Sequence, residues 1–489
     1  FTLKASFKEL PIPDSLQALL MERVDRLGPA KAIVQTGAAI GREFTYELVR
    51  ATVEGTDSQL RNALDMFVAS GLIVQESKIP LATYHFKHAL VQEAAYSTLP
   101  KKPRRLLHAR IAKALESLFP ERVTLEPELL AYHYEQAGLA GPAVDYWHRA
   151  ARRGVERSAN IEALNQFTRA LDVLKDLPLG PERDAVELEL LLARGAPLLS
   201  VKGYASDEME HNYRRAKDLS QGNSDSVLQF RAIWGLWVLH LVKGHLDDAR
   251  GLAEALLALA NREHSSDLLV GAHLSLGNTC FWLGRFDEAR TLLLTVRSLY
   301  DPTQHRAHAV VYGQAPGITA RIYLARTLWI LGEVDQVESL ALEAISMARE
   351  LEHPFTLVFT LCHLSFIYST VRNANRVLKL TDEAIAVATQ YGFELGLAWA
   401  TTSHGWALAE KGEEDGLGTL LHGLSATRAT GASLNDTFTL ALLAELYLRH
   451  NRMDEGLAAI AEAQTLAVPG GELFWQAELL RLKGELLLR

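Results

Sequence analysis

A segment that recurs about every 40 residues is the feature that most constrains the fold of this chain. Each copy follows an apolar helix, forms a turn and contains an acidic residue or Asn just before the next helix is expected, as in Gly284-Arg-Phe-Asp-Glu-Ala289. The copies start at Gly244, Gly284, Gly332, Arg372, Gly412 and Asn451, at intervals of 40, 48, 40, 40 and 39 residues. A fixed period of ~20–50 residues is typical of a solenoid, in which each unit buries its apolar face only against its neighbours. The repeat therefore predicts a surface suited to binding rather than to catalysis.

The composition is that of an ordinary soluble protein with room for several domains. The chain has 489 residues, of which 48% are hydrophobic, and its formal net charge is −9. This length suggests two to four domains, or one domain followed by an elongated array. The mild negative charge argues against nucleic-acid binding along the whole chain. A basic excess lies in residues 1–120, which hold sixteen Lys and Arg against twelve Asp and Glu.

The termini and the cysteines indicate a cytoplasmic segment cut from a longer protein. No apolar run reaches the ~18–20 residues that cross a bilayer, so no membrane association is expected. The start, Phe1-Thr-Leu-Lys, has neither an initiator Met nor a signal peptide, and the chain ends at Arg489 inside an amphipathic helix without a partner helix. Cys280 and Cys362 are expected to be free buried thiols.

Residues 1–120 predict a small helical domain with one β-hairpin. At residues 72–76 and 82–86 the apolar side chains recur with the spacing of a β-strand, whereas before residue 72 they recur with the spacing of a helix. Helices followed by a two-stranded hairpin are typical of a winged-helix domain. The helices are expected at residues 16–27, 29–40, 45–53 and 59–69, the last capped by Asp57, and after the hairpin at 88–99 and 104–119.

The rest of the chain is expected to be helical throughout. Residues 121–200 should form the first helix pairs, and residues 201–489 the repeats of about 40 residues. Small residues at the turns are expected to let the paired helices approach closely. Bulky side chains just before the turns predict core packing between units rather than a ligand cage; they are Phe281, Trp282, Trp329, Tyr368, Trp406 and Tyr447.

These segments resemble a known bacterial family. The helix pairs look like tetratricopeptide repeats with helices longer than in the usual ~34-residue unit. The chain also resembles the part downstream of the ATPase core in proteins that join a class III adenylate/guanylate cyclase domain, a signal-transduction AAA-type ATPase module, a winged helix and tetratricopeptide repeats. The matching stretches begin at Ile12-Pro-Asp-Ser-Leu, Gln35-Thr-Gly-Ala-Ala-Ile-Gly-Arg-Glu-Phe44, Phe86-Lys-His-Ala-Leu-Val-Gln-Glu-Ala-Ala-Tyr96 and Leu130-Ala-Tyr-His-Tyr134. Relatives of this kind replace the cyclase with kinase or DNA-binding modules.

The resemblance implies an all-α-dominated chain: a right-handed α-solenoid preceded by a winged helix with one hairpin. It also implies a nucleotide-sensing role for His88, because in such ATPases a His at the start of the helix after the winged helix contacts the β-phosphate of bound ADP. Lys87 would add positive charge beside it. An imidazole donor at a helix N-terminus favours an anion. The alternative is that His88 only caps or packs between the hairpin and the helix. ATP or ADP with Mg²⁺ would be bound by residues outside this chain.

No catalytic site is expected within the chain. A Gly-x-x-x-x-Gly-Lys-Ser/Thr segment is absent, since Gly37-Ala-Ala-Ile-Gly41 is followed by Arg42-Glu43. The predicted strands are too few for the aspartate pair of a cyclase. The histidines His133, His240, His245, His273, His363 and His404 form no i, i+4 pair on one helix, so no metal site is expected.

One basic cluster spans the start of the second helix after the hairpin. Its members are Lys101, Lys102, Arg104, Arg105 and Arg110. This cluster would contact DNA phosphates, dock on an acidic surface of the ATPase module, or form only the solvated face of a helix. The predicted recognition helix, Ser58-Gln-Leu-Arg-Asn-Ala-Leu-Asp-Met66, is poorly suited to DNA because it holds a single Arg.

Three functions remain open from the sequence. The first is a non-catalytic regulatory and interaction segment, in which the repeats bind a protein, a peptide or a small effector and the winged helix acts on ATPase and cyclase modules in cis. The second is a transcription regulator with a DNA-binding winged helix and an inducer sensor. The third is a plain tetratricopeptide scaffold.

Overall fold

The structure is a computed structural model that describes residues 28–203, 205–221, 225–305, 308–312 and 315–489. The predicted helix at residues 16–27 lies outside the described residues. The chain divides into two compact units. The front unit runs through Ala150 and includes Thr168–Pro178, and the repeat unit consists of Ala151–Phe167 and Leu179–Arg489.

Short helices surround a small sheet in the front unit. In chain order its elements are a 3₁₀ turn Gly28–Ala30, α1 (Lys31–Ile40), β1 (Glu43–Thr45), α2 (Tyr46–Thr52), α3 (Asp57–Ala69), β2 (Ile73–Glu76), β3 (Thr83–Phe86), α4 (Ala89–Ser97), α5 (Lys101–Leu118), α6 (Pro120–Leu125) and α7 (Pro127–Ala137). The boundary between the units falls within the next two helices, α8 (Ala140–Glu156) and α9 (Asn160–Leu174).

The sheet contains the predicted hairpin and one further strand. All pairings are antiparallel, with β3 between β1 and β2. Ile73 lies opposite Phe86, which confirms the hairpin. The sequence reading missed β1 because only Phe44 of its three residues is buried, too short a pattern to show alternation. The Phe44 ring fills the space beside Gly37 of α1, where a Cβ would lie 2.7 Å from the ring.

The start of α3 shows a local correction to the sequence reading. Thr56, rather than Asp57, is the N-cap residue. Its hydroxyl accepts a hydrogen bond from the backbone N–H of Gln59, and the Gln59 side chain accepts one from the backbone N–H of Thr56. This reciprocal capping box satisfies two helix-terminal donors. Asp57 instead accepts hydrogen bonds from Tyr46 and Arg61.

The repeat unit is a succession of helix pairs. Its elements after α9 are α10 (Pro181–Lys202), α11 (Asp207–Ser220), α12 (Ser226–Val242), α13 (Leu246–Arg262), α14 (Ser266–Trp282), α15 (Phe286–Leu299), α16 (His308–Tyr312), α17 (Pro316–Ile330), a 3₁₀ turn Val334–Gln336, α18 (Val337–Glu350), α19 (Pro354–Thr370), α20 (Ala374–Tyr391), α21 (Glu394–Glu410), α22 (Gly416–Ala429), α23 (Asp436–Arg449), α24 (Met453–Gly470) and α25 (Gln476–Leu488). The short helix α16 lies in the insertion that lengthens one repeat interval to 48 residues.

The turn between the two helices of each pair passes through the left-handed backbone region. The six residues that start the recurring segment all have positive φ: 72° at Gly244, 73° at Gly284, 79° at Gly332, 56° at Arg372, 84° at Gly412 and 55° at Asn451. This conformation costs a non-glycine residue ~1–2 kcal/mol, which explains the preference for Gly. The expectation that small residues permit close helix approach is wrong at Gly332 and Gly412, where an added Cβ would meet no atom within 4 Å.

The two helices of a pair differ in how they are buried. In α13 the buried residues recur at helical spacing and lie on one face; they are Leu246, Ala249, Ala253, Leu256, Leu259 and Ala260. In α14 and α19 buried residues occur on nearly every side. A helix that is apolar on all sides is a buried one. Cys280 of α14 and Cys362 of α19 are free and buried, as expected.

Two loops late in the repeat unit return to the ends of earlier helices. The backbone N–H groups of Ser433 and Leu434 both donate to the carbonyl of Val242, at 3.1 Å, and the N–H of Leu473 donates to the carbonyl of Trp282 at 3.0 Å. The first loop precedes α23 and the second precedes α25. As a result, residues 435–438 and 472–475 lie beside α14, α17 and α19.

The expected fold class is confirmed by these elements. Helices dominate both units, and tetratricopeptide-like pairs form the array. Within the described ranges no helix combines the length and the apolar character that a membrane span requires.

Candidate functional site

His88 and Lys87 are both exposed at the junction between β3 and α4. His88 is the N-cap residue of α4, and its side chain makes no capping hydrogen bond. The imidazole thus lies at a helix N-terminus, where the exposed N–H groups favour an anion. The nucleotide-sensing role of His88 and Lys87 stays a prediction.

The five residues of the predicted basic cluster on α5 differ in their exposure and in their partners. Lys101, Lys102 and Arg105 are exposed. Arg104 turns inward, since its Nη2 donates to the carbonyl of Leu99 at 2.8 Å and its guanidinium lies 4.7 Å from the centre of the Tyr96 ring. Arg110 pairs with Glu54 at 3.1 Å. The exposed positive charge is therefore smaller than the sequence cluster indicates.

The exposed face of α3 offers little to a DNA groove. Arg61, its single cation, is held by the carboxylate of Asp57 at 2.7 Å. Asp65 and Met66 are also exposed on this helix. A recognition helix normally presents free cations to the DNA, and the single cation of this face is already paired.

The repeat unit contains an apolar pocket with one cation at its base. We call it the Arg326 pocket and define it by Phe281, Arg326, Trp329, Phe366, Phe438 and Trp475. It encloses about 280 Å³ including its open mouth. The residues come from α14, α17, α19, α23 and the loop before α25, so the returning loops complete the pocket.

Aromatic rings surround the Arg326 guanidinium. Its Cζ lies 4.7 Å from the ring centre of Phe281, 4.8 Å from Trp282 and 5.4 Å from Phe474. Tyr323 and Phe366 are within 5.9 Å. Such contacts stabilise a desolvated cation without neutralising it. At the mouth, the rings of Trp329 and Trp475 stack at 6.0 Å.

Arg326 is only 6% exposed, yet its hydrogen bonds are poorly satisfied. Its Nη2 donates to Oδ1 of Asn435 at 3.4 Å, a long contact, and its Nη1 is buried with no hydrogen-bond partner among the described residues. Burial lowers the pKa of Arg326 to about 10, so the group remains charged at neutral pH. An unpaired buried charge is costly unless something from outside compensates it.

Two buried carboxyl groups near Arg326 do not supply that compensation. Asp436 accepts a 2.7 Å hydrogen bond from Nε of Arg428, and Glu472 accepts one from the hydroxyl of Thr437. Burial raises the pKa of Glu472 to about 8, which keeps this group mostly protonated at neutral pH. Asp436 is therefore committed to Arg428, and Glu472 is mostly neutral.

A second, more polar cleft lies elsewhere in the repeat unit. Its lining includes Lys202, Glu394 and the loop residues Ala205, Ser206 and Asp207, and it encloses about 910 Å³ including open space.

Three side chains around the Gly244 turn have the geometry to hold a divalent cation. Nδ1 of His240 lies 3.4 Å from Oδ2 of Asp248, and the ligand atoms of His240, His245 and Asp248 all lie within 4.8 Å of one another. The sequence reading considered only pairs spaced i, i+4 on one helix. It overlooked this group because its members lie on both sides of a turn.

The Arg326 pocket was also missed from the sequence, although Phe281 and Trp329 had been identified as bulky residues before turns. Core packing holds for Trp406 and Trp282, each 1% exposed. Core packing also holds for Phe281, which is fully buried, and both Phe281 and the partly exposed Trp329 line the Arg326 pocket. The missed signal is Arg326 itself, a charged residue inside the apolar segment Tyr323-Leu-Ala-Arg-Thr-Leu-Trp329.

No protein-family model matches the chain. A curated relative, an uncharacterized protein of Rhizobium meliloti (strain 1021), is 24% identical over 488 residues. The match covers 97% of this chain and 46% of the relative, so the chain spans about half the length of that relative.

Several solved structures with tetratricopeptide-like helices are similar in fold. A Signal Transduction ATPase with Numerous Domains (STAND) protein with a tetratricopeptide repeat sensor, from Pyrococcus horikoshii, is 12% identical with a TM-score of 0.48, over 96% of this chain and 67% of that one. A Rap protein complexed with competence and sporulation factor is 10% identical with a TM-score of 0.44, over 71% and 98%. Yeast Tom70 is 14% identical with a TM-score of 0.31, over 81% and 91%. Similarity at this level concerns the helical fold only and carries no functional argument.

Proposed function

We propose that this chain is a non-catalytic sensor and interaction segment of a larger signalling protein, in which the repeat unit binds an effector. The observation that carries the proposal is the Arg326 pocket, an apolar pocket with a single buried charge. Such a cavity is the default binding site for a small molecule or a peptide end. The greater length of the Rhizobium relative supports a larger parent protein.

We propose further that the front unit is a winged-helix module acting on a nucleotide-binding ATPase module in cis, with a nucleotide cyclase as an output of the parent. This step rests on the resemblance at Gln35-Thr-Gly and Phe86-Lys-His, and on the exposure of His88 at the start of α4. ATP or ADP with Mg²⁺ would be bound by residues outside this chain. An effector shifts such a switch only by its difference in affinity for the closed and open states.

The effector role is tested by thermal unfolding of the chain against a library of metabolites and short peptides. An effector is expected to raise the melting temperature of the wild type by an amount that grows with the logarithm of its concentration once that exceeds Kd. Thr370→Trp places a bulky ring in the Arg326 pocket and should remove most of that shift. Thr291→Trp, at an exposed position on α15, is the matched control. If every shift persists in Thr370→Trp, the pocket is not the effector site.

The nucleotide role is tested in the full-length parent by ADP dissociation. His88→Ala should speed ADP release about tenfold or more, because a hydrogen bond to a charged group contributes ~1.5–3 kcal/mol. Lys78→Ala, exposed in the same unit, is the control and should leave the rate unchanged. An unaltered rate in His88→Ala would contradict the sensing role.

A DNA-binding assay with the chain tests the alternative function, that of a transcription regulator. We expect no binding of the chain to duplex DNA at ~50 mM salt, since the α3 face lacks free cations. Binding that weakens steeply as salt rises would instead support a DNA-binding front unit.

A further inference from the structure

The Arg326 pocket constrains the chemistry of its ligand, and this inference rests on the proposed function. The base of the pocket is the side chain of Arg326, a residue that is only 6% exposed. Its Nη1 has no hydrogen-bond partner among the described residues. A planar guanidinium with an unpaired buried nitrogen is a preformed receptor for the two oxygens of a carboxylate.

The remainder of the repeat unit does not neutralise this cation. No described Asp or Glu lies within ion-pair distance of Arg326. Asp436 pairs with Arg428, which also contacts Glu462 at 2.7 Å. The Glu472 carboxyl accepts its hydrogen bond from Thr437. The positive charge of Arg326 therefore has no anionic partner among the described residues.

The mouth of the pocket selects the group that accompanies the anion. Trp329, Phe438 and Trp475 present ring faces and edges, and Ile330 and Ile367 complete an apolar rim. A phosphate has more oxygens and more charge than one guanidinium can pair, so its remaining oxygens would lose water against these rings without compensation. A carboxylate attached to an apolar group fits both parts of the pocket.

We propose that the Arg326 pocket binds a carboxylate attached to an apolar group, with the carboxylate paired to Arg326 and the apolar group packed against the rings of Trp329 and Trp475. Two sources share this chemistry: a small aryl or alkyl acid, and the C-terminal carboxylate of a peptide that ends in an apolar residue. The pairing forms no covalent bond and requires no cofactor.

The test is calorimetric titration of the chain with matched acid and amide probes. The small-molecule arm compares 3-phenylpropanoate with 3-phenylpropanamide, and the peptide arm compares acetyl-Gly-Gly-Phe with its C-terminal amide. In at least one arm the acid should bind ten- to hundredfold more tightly than the amide, because a charge-assisted hydrogen bond contributes ~1.5–3 kcal/mol. The arm that binds identifies the source.

Variants separate the role of the charge from the shape of the pocket. Arg326→Met should abolish the preference for the acid, and Arg326→Lys should retain part of it, since lysine keeps the charge but not the planar fork. Arg376→Met is the matched control, because Arg376 lies 4.3 Å from the Tyr368 ring outside the pocket and is paired with Glu338.

The outcomes distinguish this inference from the proposed function. If acid and amide bind equally and Thr370→Trp blocks both, the pocket is an effector site but the carboxylate inference is wrong. An acid preference that persists in Arg326→Met would also overturn it. If no probe binds in either arm, the carboxylate inference fails, while the library experiment still decides the proposed function.

Discussion

The Nη2 of Arg326 donates a 3.4 Å hydrogen bond to Oδ1 of Asn435, the N-cap residue of α23. Asn435 has a φ of 75°, which places it in the left-handed region. A neutral amide at this distance cannot offset a buried charge. The contact joins α17 to the loop before α23 while leaving the guanidinium short of an anionic partner.

Arg326→Met should therefore leave the free energy of unfolding unchanged or raise it slightly. Replacing an uncompensated buried charge by an apolar side chain of similar length removes a desolvation cost. The measurement is urea unfolding of the chain. Asp436→Asn is the comparison, since it breaks the pair with Arg428, and should cost about 2 kcal/mol or more. A large loss of stability in Arg326→Met would show that the guanidinium is structural.

The stability of the repeat unit should fall as pH rises toward 8. The pKa of Glu472 is raised to about 8 by burial, whereas the unfolded carboxyl is ionised above pH ~5. The folded state thus holds a proton that the unfolded state has lost, so the free energy of unfolding should drop by ~1–2 kcal/mol between pH 6.5 and 8. Urea midpoints at the two pH values measure this drop. Glu472→Gln should flatten it, whereas Glu413→Gln, at an exposed site, should not.

The left-handed turns predict opposite effects of two substitutions. Gly412→Ala should destabilise the chain by ~1 kcal/mol, because φ is 84° although the surrounding space is open. Asn451→Gly, at the equivalent turn with φ of 55°, should be neutral or stabilising by a few tenths of a kcal/mol. Thermal unfolding measures both. Equal effects of the two substitutions would contradict the assignment of the turn residue.

The front unit should be sensitive to acid through His108 and His133. Their Nδ1 atoms lie 2.8 Å apart, and burial lowers the pKa of His108 to about 4 and that of His133 to about 3. The unfolded histidines bind protons below pH ~6.5, so stability is present above that pH and is lost as pH falls toward 4.

His133→Gln should reduce this loss by ~1–2 kcal/mol between pH 6.5 and 4.5, since glutamine keeps a polar group without titrating. The check is the urea midpoint of the front unit, read by hydrogen exchange of peptides covering α5 and α7. His211→Gln, at an exposed site in the repeat unit, is the control. Identical acid sensitivity of His133→Gln and wild type would refute the account.

The array could be predicted because its signal is local and repeated. Each turn is marked by an apolar helix followed by a segment with the pattern of Gly284, Asp287 and Ala289. The left-handed φ at the first residue of that segment, such as Gly284, is the physical cause of the pattern. β1 could not be predicted, because three residues around Phe44 are too few to show a period.

The Arg326 pocket could not be predicted because it depends on contacts distant in sequence. The Leu473 amide reaches the carbonyl of Trp282, and the Arg326 guanidinium reaches Asn435 across 109 residues. No periodic pattern reports where returning loops meet a helix. His88 was identified through resemblance, and its exposure leaves that role for experiment.

The most direct test of the account is the position of a bound acid in a crystal of the chain with 3-phenylpropanoate or with acetyl-Gly-Gly-Phe. The measurement is the distance between the ligand carboxylate and Nη1 of Arg326. We predict about 2.7–2.9 Å, the length of a charge-assisted N–H···O bond, with the phenyl ring against Trp329 and Trp475. A ligand bound with its carboxylate directed to solvent, or bound outside the Arg326 pocket, would contradict the account.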